Sequence, residues 1–429
     1  MIGFIANNPH KADENTLKLK GMIESGENVL IELGIGTYYF APERYFLSRN
    51  QKVIMTGCGS GLTAVKRQGQ RIDNDLGCVF RITGGTNSTF SMTSMTWDGS
   101  ADTHPQEPGD DQHHHVRIDG NNRMQEVSFY DILTENLISD GVQIAATDLA
   151  LFSVRDWRTG VNLGRVRRDV QFSYHPENAI ISDSVFNDFS SEPAGGTVHA
   201  CNLQMSNCRV NRNLNLQRHR ELNLVNVSVT SLSSFSCEDG FVTNCNFKKM
   251  GQIVFYGPCK ATFSNTKFGI EERHLVFYPR YSSHNQNIKF NGCDFSGGLL
   301  NYAILLYTPN SQQVPQATYE FAECRFPYVS KAVFQVQRGS WLTVKNSEFL
   351  GGKAGFEFNN RFGAYSKITE HDNTYHTQLV GYVNKASSSE EVVDIESSNV
   401  DYIQNPFPSV FRVKPYKQIG QIEEQQIEE

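Results

Sequence analysis

The sequence predicts an all-β solenoid, a chain wound into stacked coils, and three observations predict it. First, a hexad recurs through the second half: an apolar residue, a polar one, a small polar or acidic one, usually Cys, Ser or Thr, any residue, then Phe or Val. It reads MSNCRV from Met205, LVNVSV from Leu224, VTNCNF from Val242, FSNTKF from Phe263, FNGCDF from Phe290, FAECRF from Phe321 and VKNSEF from Val344. Successive starts lie 19, 18, 21, 27, 31 and 23 residues apart, one supersecondary unit per copy with insertions of variable size. Second, the first, fourth and sixth positions are the apolar or small ones, as an inward residue followed by a bend and a second inward residue requires. Third, Gly (34) and Phe (28) are plentiful, and no long helical period occurs beyond the N-terminal segment. Repeats that stack on one another let one elongated domain absorb most of the 429 residues.

The elements follow in chain order. Residues 13–25 (DENTLKLKGMIES) carry Leu17, Met22 and Ile23 after the candidate caps Asp13 and Asn15, which predicts a short amphipathic helix. Such a helix closes the first coil, whose backbone edge and apolar core would otherwise lie open. A strand follows at 28–32 (NVLIE), then a turn through Gly34 and Gly36, the strand TYYF at 37–40, and KVIMTGCGSGLTAV from Lys52 to Val65. Further on come FSMTSMTWDGS from Phe90, a polar excursion with Pro105 and Pro108, HHHVRIDG from His113, VSFYDILTEN from Val127 and SDGVQI from Ser139.

A helix, then a strand ending in Gly-x-Gly-Thr-Tyr (Gly34, Gly36, Thr37, Tyr38), then a strand leading into Gly57 and Gly59, resembles the start of pectate-lyase-superfamily proteins, most of all phage tailspikes. Strands ending in Asp-Gly, with a long loop and a return strand after His, continue the resemblance, which covers roughly residues 12–380. Glu32 and Leu33 replace the proline-rich turn usual in the family. The resemblance implies a single-stranded right-handed parallel β-helix with an N-terminal capping helix. It divides the chain into a lead and capping helix at 1–30, the β-helix at 31–400, and a C-terminal lid or docking segment with an acidic tail (QIEEQQIEE) at 401–429.

Composition narrows the partners. A net charge of −7 repels nucleic acid, so none is expected as a partner. The first residues, MIGFIANNPHKADE, lack the basic start and apolar run of a signal peptide, and no 18-residue apolar run predicts membrane insertion. Cys208, Cys245, Cys293 and Cys324 hold one slot of the hexad, which reads as small buried side chains beneath the next coil. No CxxC spacing supports zinc, and neither a metal nor a cofactor is expected.

Candidate chemistry gathers around aromatic and charged insertions. In GDDQHHH (109–115) neighbouring histidines of an extended strand point to opposite sides, so three consecutive imidazoles do not converge on one ion. Asp140 in SDG reads as a turn aspartate, because the later motifs of galacturonan hydrolases do not follow it. Glycoside cleavage needs two carboxylates about 5–9.5 Å apart, which side chains one or two coils apart satisfy. Glu271 and Glu272 lie in an insertion that also carries His274, Tyr278, Arg280 and Tyr281, and rings beside charges suit a sugar chain. Glu238 and Asp239 are the second carboxylate candidates, and Arg338 and Trp341 are further wall residues.

The expected function is therefore that of a tailspike-like receptor-binding protein, a homotrimer that recognises, and in some such proteins depolymerises, a bacterial surface polysaccharide. Trp157, Tyr174 and Tyr302 are the aromatics expected to favour association. Such a protein is made in the host cytoplasm and carried on the virion, joined to other virion proteins through the N-terminal lead or the C-terminal tail. A non-catalytic structural virion protein is the alternative, and a free polysaccharide lyase or glycoside hydrolase the second alternative.

Overall fold

Inward-facing side chains stand in register from coil to coil, and that register defines the architecture. The computed structural model describes residues 3–69, 77–101, 103, 113–160, 168–192, 201–270, 274–279, 285–297, 300–307, 317–337, 340–358, 366–383, 393–398 and 401–402. The chain forms two compact units, Met1–Asn215 and Leu216–Glu429. Each is a stack of parallel strands on three faces, and parallel neighbours joined by crossovers wind right-handed, so the fold is a right-handed parallel β-helix.

In the first unit, the first face stacks Val29–Glu32, Lys52–Thr56 and the leading parts of Thr89–Asp98, Met124–Glu135 and Leu149–Thr159, followed by Asn178–Ser182 and Cys201–Ser206. Its inward row runs Ile31, Met55, Met92, Phe129, Val154, Ile181, Met205, and no member is more than 2% exposed. A third face runs through Glu43–Phe46, Phe80–Thr83, Val116–Asp119, Val142–Ile144 and Val170–Phe172, with the inward row Tyr45, Ile82, Ile118, Ile144, Phe172. Each such side chain contributes about 1.5–3 kcal/mol when fully buried.

The N-terminal helix spans Ala12–Glu24 and packs on Gly36–Phe40 and Glu43–Phe46 with Leu19 and Ile23 buried. It departs from expectation in its details. A single 3-10 turn, Pro9–Lys11, precedes it, and the Asn8 side chain accepts from His10 N, so the start lies upstream of Asp13. Proline suits that first turn because its missing N–H has no partner to lose. Asn15 is not a cap: it is buried, its amide donates to the carbonyls of Ile5 and Tyr39, and it accepts from Ile5 N at 2.9 Å. Leu17 faces outward. Gln51 ties the other end, donating to the carbonyls of Ile23 and Glu27.

In the second unit the first face stacks Cys259–Ser264, Gln286–Asn291, Ala317–Ala322, Ser340–Lys345 and Ser366–His371. The third face stacks Gln252–Phe255, Leu275–Pro279, Leu300–Leu306, Val329–Val336 and the end of Glu348–Phe358. The hexads form the corner leading from the first face to the second, which stacks Asn246–Met250, Lys267–Ile270, Asp294–Gly297 and Arg325–Phe326. Their first, fourth and sixth residues are all buried, and their third residue takes a left-handed conformation, as at Asn244 (φ 54°) and Asn346 (φ 49°). The thiols of Cys245, Cys293 and Cys324 donate to the carbonyls of Leu224, Phe263 and Phe290, each the first hexad residue of a preceding coil. Cys245, Thr266, Cys293, Cys324 and Ser347 thus form one column.

Further copies appear in the structure, among them ISDSVF from Ile181 and EHDNTY from Glu370, with Asp183 and Asp372 in the left-handed slot. Two aromatics expected on the surface are internal. Trp157 is fully buried against Trp97 at 5.2 Å, and Tyr302 is 9% exposed. Tyr174 is half-buried.

Candidate functional site

The strongest constellation of aromatic and polar side chains suited to a ligand lies on the third face of the second unit. Strand Leu275–Pro279 sets Val276 opposite Leu305, which sets Tyr278 beside Tyr307 of the next coil, with ring centroids 4.9 Å apart. Both rings are half-buried. The rows Val276, Leu305, Gln335 and Glu357 continue the same register up the face.

Glu357 is fully buried, yet it follows the buried Phe356 on its strand and belongs to that lateral row. Its carboxylate accepts from Tyr302 Oη at 2.9 and 3.1 Å and from Gln335 Nε2 at 2.9 Å. Burying a carboxylate is unfavourable unless its lone pairs are occupied, and these donors occupy them. The Tyr302 ring packs with Ala332 and Ala354, whose small side chains in successive coils leave room for it. His274 meets the ring edge-on at 6.3 Å, and Lys331 Nζ lies 5.4 Å from its centroid. Burial, then the hydrogen bond and charge of Glu357, raise the Tyr302 hydroxyl above the ordinary tyrosine value, so it remains a donor at neutral pH.

The residues singled out in the sequence divide three ways. His274 and Tyr278 both lie on this face, at opposite ends of one strand, His274 against Tyr302 and Tyr278 against Tyr307. Glu271, Glu272, Arg280, Tyr281 and Arg338 lie outside the described residues. Glu238, Asp239 and Trp341 belong to the first face instead: Glu238 is exposed, Asp239 is ion-paired with Lys260 at 2.6 Å, and Trp341 is 40% exposed in the row Lys260, Asn287, Thr318, Trp341. Tyr307, Gln335 and Glu357 were missed, and Tyr302 was expected at a surface for association rather than here. Gln335 and Glu357 carry a signal as the middle residues of recurring apolar-x-apolar triplets, Leu-Val-Phe, Ile-Leu-Leu, Phe-Gln-Val and Phe-Glu-Phe.

In the first unit, His113, His114 and His115 are all buried. His114 Nδ1 lies 3.3 Å from Asp140 Oδ2, and the Gln171 amide, turned with its nitrogen toward Asp140, donates to the same oxygen at 2.6 Å. His115 stacks on Trp97 at 5.1 Å. Burial, aided by the charge of Arg67, lowers its pKa from 6.5 to about 3, so it stays neutral. Among the described residues no group of three or more His, Cys, Asp or Glu is placed to hold a metal ion.

No protein-family model and no curated protein matches the chain. Among solved structures it is similar to the A-modules of mannuronan C-5 epimerases AlgE6 and AlgE4 of Azotobacter vinelandii. Identity to each is 11%, coverage is 94% and 95% of this chain and 98% and 97% of those chains, and the TM-scores are 0.30 and 0.33. It is also similar to PfbA, a surface adhesin of Streptococcus pneumoniae, at 12% identity over 89% of this chain and 91% of that one, with a TM-score of 0.35. With scores this low, the fold rests on the strand register described above.

Proposed function

We propose that the chain is a receptor-binding protein of the phage tailspike kind, which recognises a bacterial surface polysaccharide laid across the third face of the second unit. The observation that carries this reading is the Tyr278–Tyr307 pair, two rings 4.9 Å apart on neighbouring coils, beside Gln335 and the Tyr302–Glu357 bond. Rings cover the apolar C–H faces of pyranoses, while amides, an imidazole and an ammonium group meet hydroxyls. Glu357 is buried with its oxygens occupied by Tyr302 and Gln335, so it braces the aromatic face, and the reading puts recognition ahead of cleavage. The protein acts as a homotrimer on the virion in this reading.

The test is a screen of the purified protein against capsular polysaccharides and lipopolysaccharides, scored for retention and for released reducing ends. A bound glycan should lose affinity by about tenfold or more in Tyr307→Ala, equivalent to roughly 1.4 kcal/mol, with the melting temperature little changed. Retention of no polysaccharide, or a Tyr307→Ala variant that binds like the wild type, overturns the reading. Stable incorporation into particles without glycan binding would then identify a structural virion protein.

A further inference from the structure

We propose that the first face of the first unit carries a second saccharide site, separate from the tyrosine face and built for an uncharged oligosaccharide. A cavity of about 420 Å³ opens there at the leading ends of strands Leu149–Thr159 and Asn178–Ser182. That volume falls within the range of about 300–1,000 Å³ typical of small-molecule sites.

The cavity has a specific cause. Arg123 and Glu177 belong to turns two coils apart, with Ala150 in the coil between them. The guanidinium reaches over that coil and grips the carboxylate as a fork, Nη1 to Oε1 at 2.6 Å and Nη2 to Oε2 at 2.8 Å. Two coil spacings are about 10 Å, and the Ala150 methyl fills little of the space beneath the bridge. A longer side chain at 150 would close it.

The lining suits a sugar. Leu151 and Ile180, the latter 46% exposed, offer an apolar floor to the C–H face of a pyranose. Next to the ion pair runs an amide ladder whose orientation is fixed: Asn202 Nδ2 donates to Asn178 Oδ1 at 3.0 Å, and Asn178 Nδ2 donates to the Ala150 carbonyl at 3.2 Å. The exposed amides of Gln125 and Gln204 complete the rim. Amides and a fork of guanidinium and carboxylate present both donors and acceptors to hydroxyl and acetamido groups.

Charge selects the class. Arg123 faces Glu177 and, at 3.8 Å, Asp148, so one cation meets two carboxylates and the local balance is negative. A uronate would bring a further negative charge to this rim, whereas a neutral ring brings none. The ligand class is therefore a neutral or N-acetylated oligosaccharide.

The experiment uses the full chain with two probes, triacetylchitotriose and trigalacturonate, followed by saturation-transfer NMR and calorimetry. The neutral trisaccharide should bind, with trigalacturonate weaker by about tenfold or more. Ala150→Phe, which fills the space under the bridge, and Ile180→Glu, a change at an exposed position, should each weaken neutral binding by about tenfold or more. Tyr307→Ala should leave it unchanged, and Ile180→Glu should leave polymer binding at the tyrosine face unchanged, so failure of either site is read separately. Absence of neutral binding, equal binding of trigalacturonate, or binding indifferent to Ile180→Glu in a protein that melts like the wild type overturns the proposal.

Discussion

A single left-handed backbone conformation sets the corners, and Asn207, Asn226, Asn244, Asn265 and Asn346 supply it at five of them, with φ between 49° and 55°. For residues other than Gly, Asn and Asp that region costs roughly 1–2 kcal/mol, and asparagine reduces the cost by hydrogen bonding locally. Asn244→Ala should therefore lower the urea midpoint by an amount corresponding to about 1 kcal/mol, while Asn244→Gly stays near the wild type. Equal losses in both variants would show that the side chain, not the dihedral, matters there. A second residue sets a pH response. The His115 value falls from 6.5 unfolded to about 3 folded because the ring is buried against Trp97. Below pH 6.5 the unfolded chain takes up a proton that the folded chain refuses until about pH 3, so this contribution is complete above 6.5 and is lost on acidification. The loss reaches at most about 1.4 kcal/mol per pH unit. His115→Phe keeps a ring on Trp97 and removes the proton, so its urea midpoint should fall less than the wild type's between about pH 7 and pH 4.5. Parallel pH curves would refute the assignment.

At the scale of the element, stacked rings hold successive coils together. Phe290 lies 5.1 Å from Phe263 and 4.5 Å from Phe321, both nearly coplanar, and it is 1% exposed. Phe290→Ala should cost about 3–5 kcal/mol in urea unfolding, whereas Phe241→Ala at a 57% exposed position should change it by about 0.5 kcal/mol or less. A small loss at Phe290 would mean that the coils close the cavity by collapsing together. This stacking is also why the coil corners were legible. Apolar, small and aromatic residues at hexad positions one, four and six all point inward, so the pattern of residue types along the chain exposes the repeat. The copy from Glu370 escaped because a carboxylate occupies the inward first position, where Tyr375 Oη donates to it. The third-face row escaped for another reason. Val276, Leu305, Gln335 and Glu357 are spaced 29, 30 and 22 residues apart and share no residue type, and loop insertions of different length hide their register until the strands are paired. Tyr302 misled through its chemistry: a tyrosine outside the main stack reads as surface, yet Ala332, Ala354 and the Glu357 carboxylate make it internal.

At the scale of the whole molecule, the reading turns on number of copies. A saccharide laid over two tyrosine rings and a few amides engages a small area, and single sites of that kind bind weakly. In the proposed trimer closed symmetry would multiply them, since copies fixed in one particle would engage a repeating polymer together and gain about 100-fold or more without any new contact. Trp157 and Tyr302 are internal and contribute nothing to such an assembly, while Ile35, Leu62, Phe241 and Tyr328 stand more than half exposed. Association of the chain would draw on large apolar side chains of this kind. Light scattering on the eluting peak should then give three times the chain mass of 48.4 kDa, and the trimer should bind polymer about 100-fold or more tighter than a trisaccharide of the same sugar. A mass of 48.4 kDa with equal affinity for polymer and trisaccharide overturns the oligomeric part of the reading. Glycan recognition by the tyrosine face is then still decided by Tyr307→Ala.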